Sequence, residues 1–215
     1  MSNETNSDFQ SAEQEFANYG KYAEFTHANN WQGICEINGR SIDSFGTKKE
    51  LNVLADYLED DEVVFAFASG IMSQTSTSNS TDWGSNTWLV ALTNERFLFL
   101  DHAMLSKSVD TQSIRHDAVQ AISASQGLLL GKIQIDLGSR VVAIDNCQKA
   151  DVKIIADLSN KWHKLLKKQS KSQTGTASIE IISQMQENTE LLRIQIKNQE
   201  IIISLLEEIR NNIAS

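Results

Sequence analysis

Seven short segments with the composition of β-strands follow one another between residues 62 and 146, and no helical pattern separates them. They are rich in β-branched and aromatic residues and are bounded by turn residues. The predicted strands span residues 62–69, 86–93, 96–101, 107–115, 118–126, 131–138 and 140–146. Consecutive strands without intervening helices favour an antiparallel sandwich or barrel, and they exclude a doubly wound parallel sheet.

The segments before these strands are less regular. Residues 1–22 are polar and acidic without a sustained period, so we predict a flexible acidic tail. Asn38-Gly39 lies between two apolar stretches and favours a two-residue hairpin turn, so residues 23–46 are predicted as a small hairpin extension. Thr47 and Glu50 then match a capping box, which predicts the start of a short helix.

A second helical pattern follows the last predicted strand. Within residues 149–168, apolar side chains recur at spacings of three and four, namely Ile155, Leu158, Trp162 and Leu165. This stripe can lie across an open end of the sheet, and Trp162 is its largest side chain. We therefore predict a compact domain over 47–168, followed by a flexible Ser/Thr-rich linker over 169–177.

The last predicted element is a helix over 178–213, a stretch that contains neither Gly nor Pro. Its apolar residues recur at spacings of three and four, which is typical of a coiled coil. At a length of about 54 Å, the helix is too long for one small domain to cover its apolar stripe. The sequence favours self-association, and the alternative is a helix that folds back on its own sheet or breaks into a hairpin. The predicted oligomerisation residues are Ile182, Met185, Leu192, Ile196, Ile203, Leu206 and Ile213.

Charge is unevenly distributed along the chain. The 19 basic and 28 acidic residues give a net charge of −9, which disfavours a general affinity for nucleic acid. Residues 147–173 nevertheless carry seven Lys and two Asp. These lysines either complement a helix C-terminus and its solvated continuation, or they form an anionic docking patch. The candidate patch residues are Lys161, Lys164, Lys167, Lys168 and Lys171.

Several classes of protein are excluded or disfavoured by simple counts. The longest apolar run has only six residues, 63–68, which is too short for a membrane span, and no signal peptide opens the chain. A cytoplasmic location is therefore expected. Two cysteines and four scattered histidines give no disulfide framework and no metal-ligand spacing. We accordingly predict no catalytic residues, no metal, no cofactor and no enzyme activity.

The predicted strands over 86–101 are joined by the turn Leu92-Thr93-Asn94-Glu95-Arg96. This turn and the order of the elements resemble the bacterial pleckstrin-homology (PH)-like domains, in particular the YokE-like group, whose members occur in bacterial genomes and prophages. The resemblance covers about residues 47–168. It implies an α+β fold in which a seven-stranded, bent antiparallel sheet or barrel is capped by a C-terminal helix, and it supplies no catalytic residues.

Eukaryotic PH domains that bind phosphoinositides use Lys and Arg around the first hairpin loop. The corresponding residues 70–87 contain no Lys or Arg and one Asp, so phosphoinositide binding is disfavoured. The same loop carries Trp83, which suits contact with a protein or peptide, although a mobile surface loop is the more common explanation of such a segment. The sequence thus predicts a non-enzymatic scaffold that binds itself and an unidentified protein. The alternative is a tether to anionic membrane or nucleic acid through residues 161–171.

Overall fold

The computed structural model describes the backbone of residues 11–76, 80–102 and 108–213. Side chains are described over the same residues up to 171, except at 76 and 80–85, and at scattered positions between 184 and 199. The helices are α1 (Ala12–Glu15), α2 (Tyr19–His27), α3 (Trp31–Ile37), α4 (Lys48–Val53) and α5 (Lys149–Ile213). The strands are β1 (Val64–Ser76), β2 (Ser80–Thr93), β3 (Arg96–His102), β4 (Val109–Arg115), β5 (Ala121–Gln126), β6 (Gly131–Asp136) and β7 (Arg140–Cys147).

The seven strands form one antiparallel sheet in the order β4-β3-β2-β1-β7-β6-β5. Strands β1 to β4 pair in sequence through hairpins, as do β5 to β7, and β1 joins the two groups by pairing with both β2 and β7, so β4 and β5 lie at opposite edges. The predicted α+β fold, a seven-stranded antiparallel sheet followed by a helix, is confirmed. The first two strands are longer than predicted, because β1 and β2 continue to pair as far as Thr75 and Ser80.

The centre of the sheet is β1, which is buried on both faces. Val64, Phe65, Ala66, Phe67 and Ala68 follow one another along the strand, and all have almost no exposure. A strand covered on both sides loses the apolar and polar alternation of a half-buried strand. This explains why the longest apolar run of the chain falls here.

The N-terminal segment packs on this core, so the tail predicted over 1–22 is wrong for residues 11–22. The structure describes nothing before residue 11. Phe16 is buried and its ring centroid lies 4.5 Å from that of Phe65 and 5.2 Å from that of Trp162. Tyr22 is also buried and donates a hydrogen bond to Asn38 Oδ1 at 2.8 Å. Phe16, Tyr19 and Tyr22 pack against the core, and their apolar area holds a short acidic segment that would not fold alone.

The hairpin predicted over 23–46 is wrong, because α2 and α3 occupy this region. Asn38-Gly39 ends helix α3: the Gly39 amide donates to Glu36 O at 3.0 Å and the Arg40 amide donates to Cys35 O at 2.9 Å. These two bonds are the Schellman pattern of a helix C-terminus, in which glycine adopts positive φ, here +66°. The same dipeptide satisfies both local structures, and the packing of Trp31 and Ile34 selects the helix.

Helix α4 begins at the predicted position, but the predicted capping box is wrong. Thr47 makes no side-chain cap, and its hydroxyl lies 2.7 Å from Ser69 Oγ. The buried Glu50 accepts a hydrogen bond from the His102 amide at 3.0 Å. Both side chains therefore join α4 to the sheet rather than to its own first turn.

Helix α5 is assigned over 65 residues, from Lys149 to Ile213. The backbone of residues 169–177 is helical, so the linker predicted there is wrong. The chain divides into two compact units, and the first ends at Leu166. Within the first unit, Val152, Ile155 and Trp162 of α5 are buried against the sheet, which confirms the predicted packing of its apolar stripe.

Candidate functional site

The turn between β2 and β3 contains the sequence motif Leu92–Arg96, and its polar side chains are directed inward. Arg96 donates to both carboxylate oxygens of Glu62, at 3.0 and 2.8 Å, and to Tyr57 O at 2.9 Å. The Glu62 side chain is fully buried. Its hydrogen bond to Arg96 raises the pKa of the guanidinium, which therefore stays charged. Glu62 is the last residue of the acidic run 60–62, and unlike a solvated acidic residue it is buried against its cationic partner.

Thr93 and Asn94 complete this network. The Thr93 hydroxyl donates to Glu62 Oε1 at 2.7 Å, and Asn94 Oδ1 accepts from the Val63 amide at 2.7 Å. The indole of Trp162 donates to Asn94 O at 2.7 Å. The motif therefore joins the start of β1, the β2–β3 turn and α5. Its side chains are occupied in holding the fold, and they offer no group for binding.

A histidine pair extends the same network. The buried His116 places Nε2 2.8 Å from Thr93 O and Nδ1 2.8 Å from His163 Nε2. Because a carbonyl only accepts, Nε2 of His116 carries the proton and Nδ1 accepts from His163. Burial lowers the pKa of His116, and the Thr93 carbonyl opposes this effect. The pair is a structural contact that joins the residue after β4 to α5.

The turn between β5 and β6 has the opposite character. Three consecutive leucines occupy it, and their exposed fractions are 92% for Leu128, 82% for Leu129 and 44% for Leu130. We call residues 128–130 the leucine tip. Both flanking strands are predicted from sequence, whereas the three leucines between them match no known motif. The signal is the run Gly127-Leu-Leu-Leu-Gly131, because a connection this short cannot bury three large side chains.

The predicted oligomerisation residues lie on α5 in the second unit. Met185, Leu192 and Ile196 are 64%, 58% and 56% exposed, and the neighbouring Leu191 is also exposed. The side chains of Ile182, Ile203, Leu206 and Ile213 lie outside the described residues. Self-association through this helix stays a prediction.

The five lysines of the candidate anionic patch are all exposed. Lys161 and Lys164 belong to the first unit, whereas Lys167, Lys168 and Lys171 belong to the second. The anionic docking patch stays a prediction.

The predicted interaction loop over 70–87 is largely β-structure. Ile71 to Ser76 pair with residues of β7, and Asp82 pairs with Ser73 across the hairpin. Trp83 falls within β2, but its side chain lies outside the described residues. Its role in contacting a partner stays a prediction.

The thiols are poor candidates for chemistry. Cys35 and Cys147 are both buried, and burial raises their pKa to about 11 and about 12. They are protonated at neutral pH and therefore weakly nucleophilic. Within the described ranges, no three His, Cys, Asp or Glu side chains are arranged to hold a metal ion. A crevice beside Cys35 and Phe45 has room for about one water molecule.

Comparisons with known proteins bear on the region from Leu58 to Lys161. Residues 58–161 match the family model described as bacterial PH domain. Residues 58–161 are a bacterial PH domain. The YokE-like assignment within that family stays a prediction.

Solved structures of PH domains were also found. The PH domain of USP37 is 10% identical, with a TM-score of 0.35, and the match covers 46% of this chain and 96% of that one. The Vps36 N-terminal PH domain is 14% identical, with a TM-score of 0.38 and coverage of 51% and 86%. A PH-domain protein from Shewanella loihica is 14% identical, with a TM-score of 0.35 and coverage of 54% and 94%. Among proteins with curated descriptions, none matches this sequence.

The β2–β3 turn and the leucine tip of the PH domain differ in what their side chains are available to do. The motif Leu92–Arg96, which resembles the family, makes contacts inside the domain. The leucine tip, which no motif marks, is a large exposed apolar group of the domain. Among the described residues, no helix is long and apolar enough to cross a membrane.

Proposed function

We propose that this protein is a non-catalytic scaffold that displays its PH domain in several copies through the C-terminal part of α5. PH-like domains are typically modules that bind proteins or lipids. A single module of this kind binds weakly when its contacts are few. Linking copies raises the effective concentration of each additional contact and can increase overall affinity by about 10²–10⁴.

The observation that carries the proposal is the exposure of apolar side chains at helical spacing. Met185, Leu192 and Ile196 recur at seven and four residues and are each more than half exposed. Burial of such side chains between helices stabilises an assembly by about 1.5–3 kcal/mol per fully buried side chain. Thr189 and Gln199 continue the same spacing of three and four residues along this stripe. Polar residues at such positions fix register and partner number.

The test is the mass of the intact chain in solution, measured by light scattering over a wide range of concentration. We expect a dimer or larger assembly. The double substitution L192D/I196D should reduce the mass to that of one chain, because carboxylates in a helical seam must be desolvated or protonated.

Lys197→Asp supplies a matched control. It changes the net charge by the same −2, and Lys197 is exposed about 120° around the helix from the midpoint of Leu192 and Ile196. The control should keep the mass of the unsubstituted chain. A single-chain mass for the unsubstituted protein at high concentration contradicts the proposal.

A second candidate function is a tether to an anionic surface through the exposed lysines of residues 161–171. Repeated copies would multiply a modest attraction of about 1 kcal/mol per lysine. Its signature is binding to anionic vesicles or DNA that collapses as salt rises. Replacing Lys161, Lys164 and Lys168 by Gln should abolish that binding, and unchanged binding excludes this role.

A further inference from the structure

The leucine tip is built so that its side chains are not needed by the fold. The Gly127 amide donates to Leu130 O at 2.8 Å, which closes the turn through the backbone. Lys149 of α5 donates to Leu128 O at 2.6 Å. Backbone bonds therefore set the shape of the tip, and its two outermost leucines contribute exposed apolar surface only.

Glycine holds the base of the tip close to helix α5. Gly131 is buried, and a Cβ atom added there would lie 2.8 Å from Val152 Cγ2. The hairpin is thus fixed against the helix immediately below the leucines. The leucines therefore protrude from a hairpin whose base is fixed by close packing, and not from a loop that could fold them back onto the surface.

The surroundings of the tip are basic in an otherwise acidic protein. The turn 126–132 and the first helical turn 149–153 contain three lysines and one aspartate. That aspartate, Asp151, is buried and bonded to Arg40 Nε at 2.6 Å. Lys132 pairs with Asp145 at 3.1 Å, whereas Lys149 lies at the tip and Lys153 is exposed one helical turn further. Lys149 therefore lies at the base of the apolar tip, and Lys153 follows it one helical turn along α5.

We propose that the leucine tip inserts into the surface of an anionic lipid bilayer, with Lys149 and Lys153 at the level of the headgroups. A convex tip with nearly full exposure needs no preformed pocket in a bilayer, whose apolar interior begins directly below the headgroups. Lysines beside the inserted residues attract anionic lipids. Contact between the tips of two copies is disfavoured by the same lysines. The inference does not rest on self-association, although repeated copies would strengthen binding.

The first experiment is co-sedimentation of the full chain with vesicles of phosphatidylcholine and phosphatidylglycerol, and with vesicles of phosphatidylcholine alone. We expect binding to the anionic vesicles that weakens with salt. The double substitution L128S/L129S should lower this binding by about tenfold or more, because it removes both inserted side chains. The control L128F/L129F keeps the apolar character and should keep or increase the binding.

The second experiment reports where the tip lies. Since both native thiols are buried, a thiol-reactive fluorophore should label Leu129→Cys selectively in the folded chain. With anionic vesicles, its emission should shift to shorter wavelength and should be quenched by spin-labelled lipids. The same label at Ser139→Cys, an exposed position in the β6–β7 turn, should show neither change.

Three results of the vesicle experiments overturn the inference. They are absence of binding to the anionic vesicles, equal binding by the L128S/L129S variant, and equal lipid quenching at positions 129 and 139. A lower mass of the L128S/L129S variant in solution also overturns it and assigns the tip to a contact between copies. None of these results depends on the mass of L192D/I196D, so failure of this inference is distinguishable from failure of the scaffold proposal.

Discussion

The β2–β3 turn and the β5–β6 turn join antiparallel strands of the same sheet, yet they use their side chains in opposite ways. The first has a polar sequence, and Thr93 and Asn94 are buried in contact with Glu62 and Trp162. The second has an apolar sequence, and Leu128 and Leu129 point into solvent.

The difference separates the residues that hold this fold from those available for binding. In the β2–β3 turn, Thr93, Asn94 and Arg96 each satisfy a buried partner, so removal of any of them leaves an unpaired group in the interior. In the β5–β6 turn, backbone bonds and a glycine set the geometry. The conspicuous polar motif is therefore structural, and the unmarked apolar turn is the candidate binding surface.

Arg96→Met should cause the largest loss of stability. It leaves the fully buried Glu62 carboxylate without its guanidinium, and breaking a buried pair in this way costs about 3–5 kcal/mol. Chemical denaturation measures the free energy of unfolding. The double variant Glu62→Gln, Arg96→Met should recover part of the loss, because no charge is then left buried.

Arg115→Met is the matched control for Arg96→Met. Arg115 pairs with Glu95 at 3.0 Å beside the same turn, but both side chains are substantially exposed. An exposed pair of this kind contributes about 0–1 kcal/mol. Equal effects of the two arginine substitutions would refute the structural role of the β2–β3 network.

Phe16→Ala tests whether the N-terminal segment belongs to the core. Its ring packs against Phe65 and Trp162, so we expect a loss of about 3 kcal/mol in the free energy of unfolding. Glu24→Ala, at an exposed position of α2, should change stability by less than about 0.5 kcal/mol. If Phe16→Ala unfolds at the same denaturant concentration as the unsubstituted chain, the segment is not part of the cooperative unit.

The sheet could be predicted from sequence because its signals are local and repeated. Along β6, alternation places Ile133 and Ile135 on the buried face and Lys132 and Gln134 on the wetter one, as the structure has them. The N-terminal region could not be predicted in this way. Asn38-Gly39 serves a hairpin turn and a helix C-terminus equally well. The burial of Trp31 and Ile34, and the bonds of Asn38 to Tyr22 and Phe65, decide between them.

The candidate surfaces were predictable to different degrees. Helical spacing alone identifies Met185, Leu192 and Ile196 as an apolar stripe, and their exposure in a single chain agrees with it. The burial of Glu62 leaves no sequence signal, because its partner Arg96 lies 34 residues away. The leucine tip does leave one, but only once the two flanking strands are known to form a tight hairpin.

The His116–His163 contact gives a smaller, pH-dependent effect at the edge of the β2–β3 network. Burial lowers the pKa of His116, so the unfolded chain binds a proton more readily than the folded chain. Stability should therefore be fully present above the ordinary histidine pKa of about 6.5 and should fall as the pH decreases below it, by up to about 1.4 kcal/mol per pH unit. Unfolding free energies between neutral and mildly acidic pH measure this slope.

His116→Gln should flatten that slope, because it removes the group whose proton affinity changes on folding. His27→Gln, at an exposed position of α2, is the control and should leave the slope unchanged. If the His116 variant keeps the full pH dependence, the effect originates elsewhere in the protein.

L128S/L129S should have the smallest effect on stability, within about 0.5 kcal/mol, and this sharpens the contrast between the two turns. Neither side chain has apolar partners in the fold to lose, and the bonds that shape the turn come from Gly127 and Lys149. Thermal and chemical denaturation of the full chain measure the effect. A loss comparable to that of Arg96→Met would mean that the leucines are buried in the protein in solution. An unchanged stability means that the two leucines bury no apolar surface within the fold. Their exposed apolar surface then serves contact with something outside the domain.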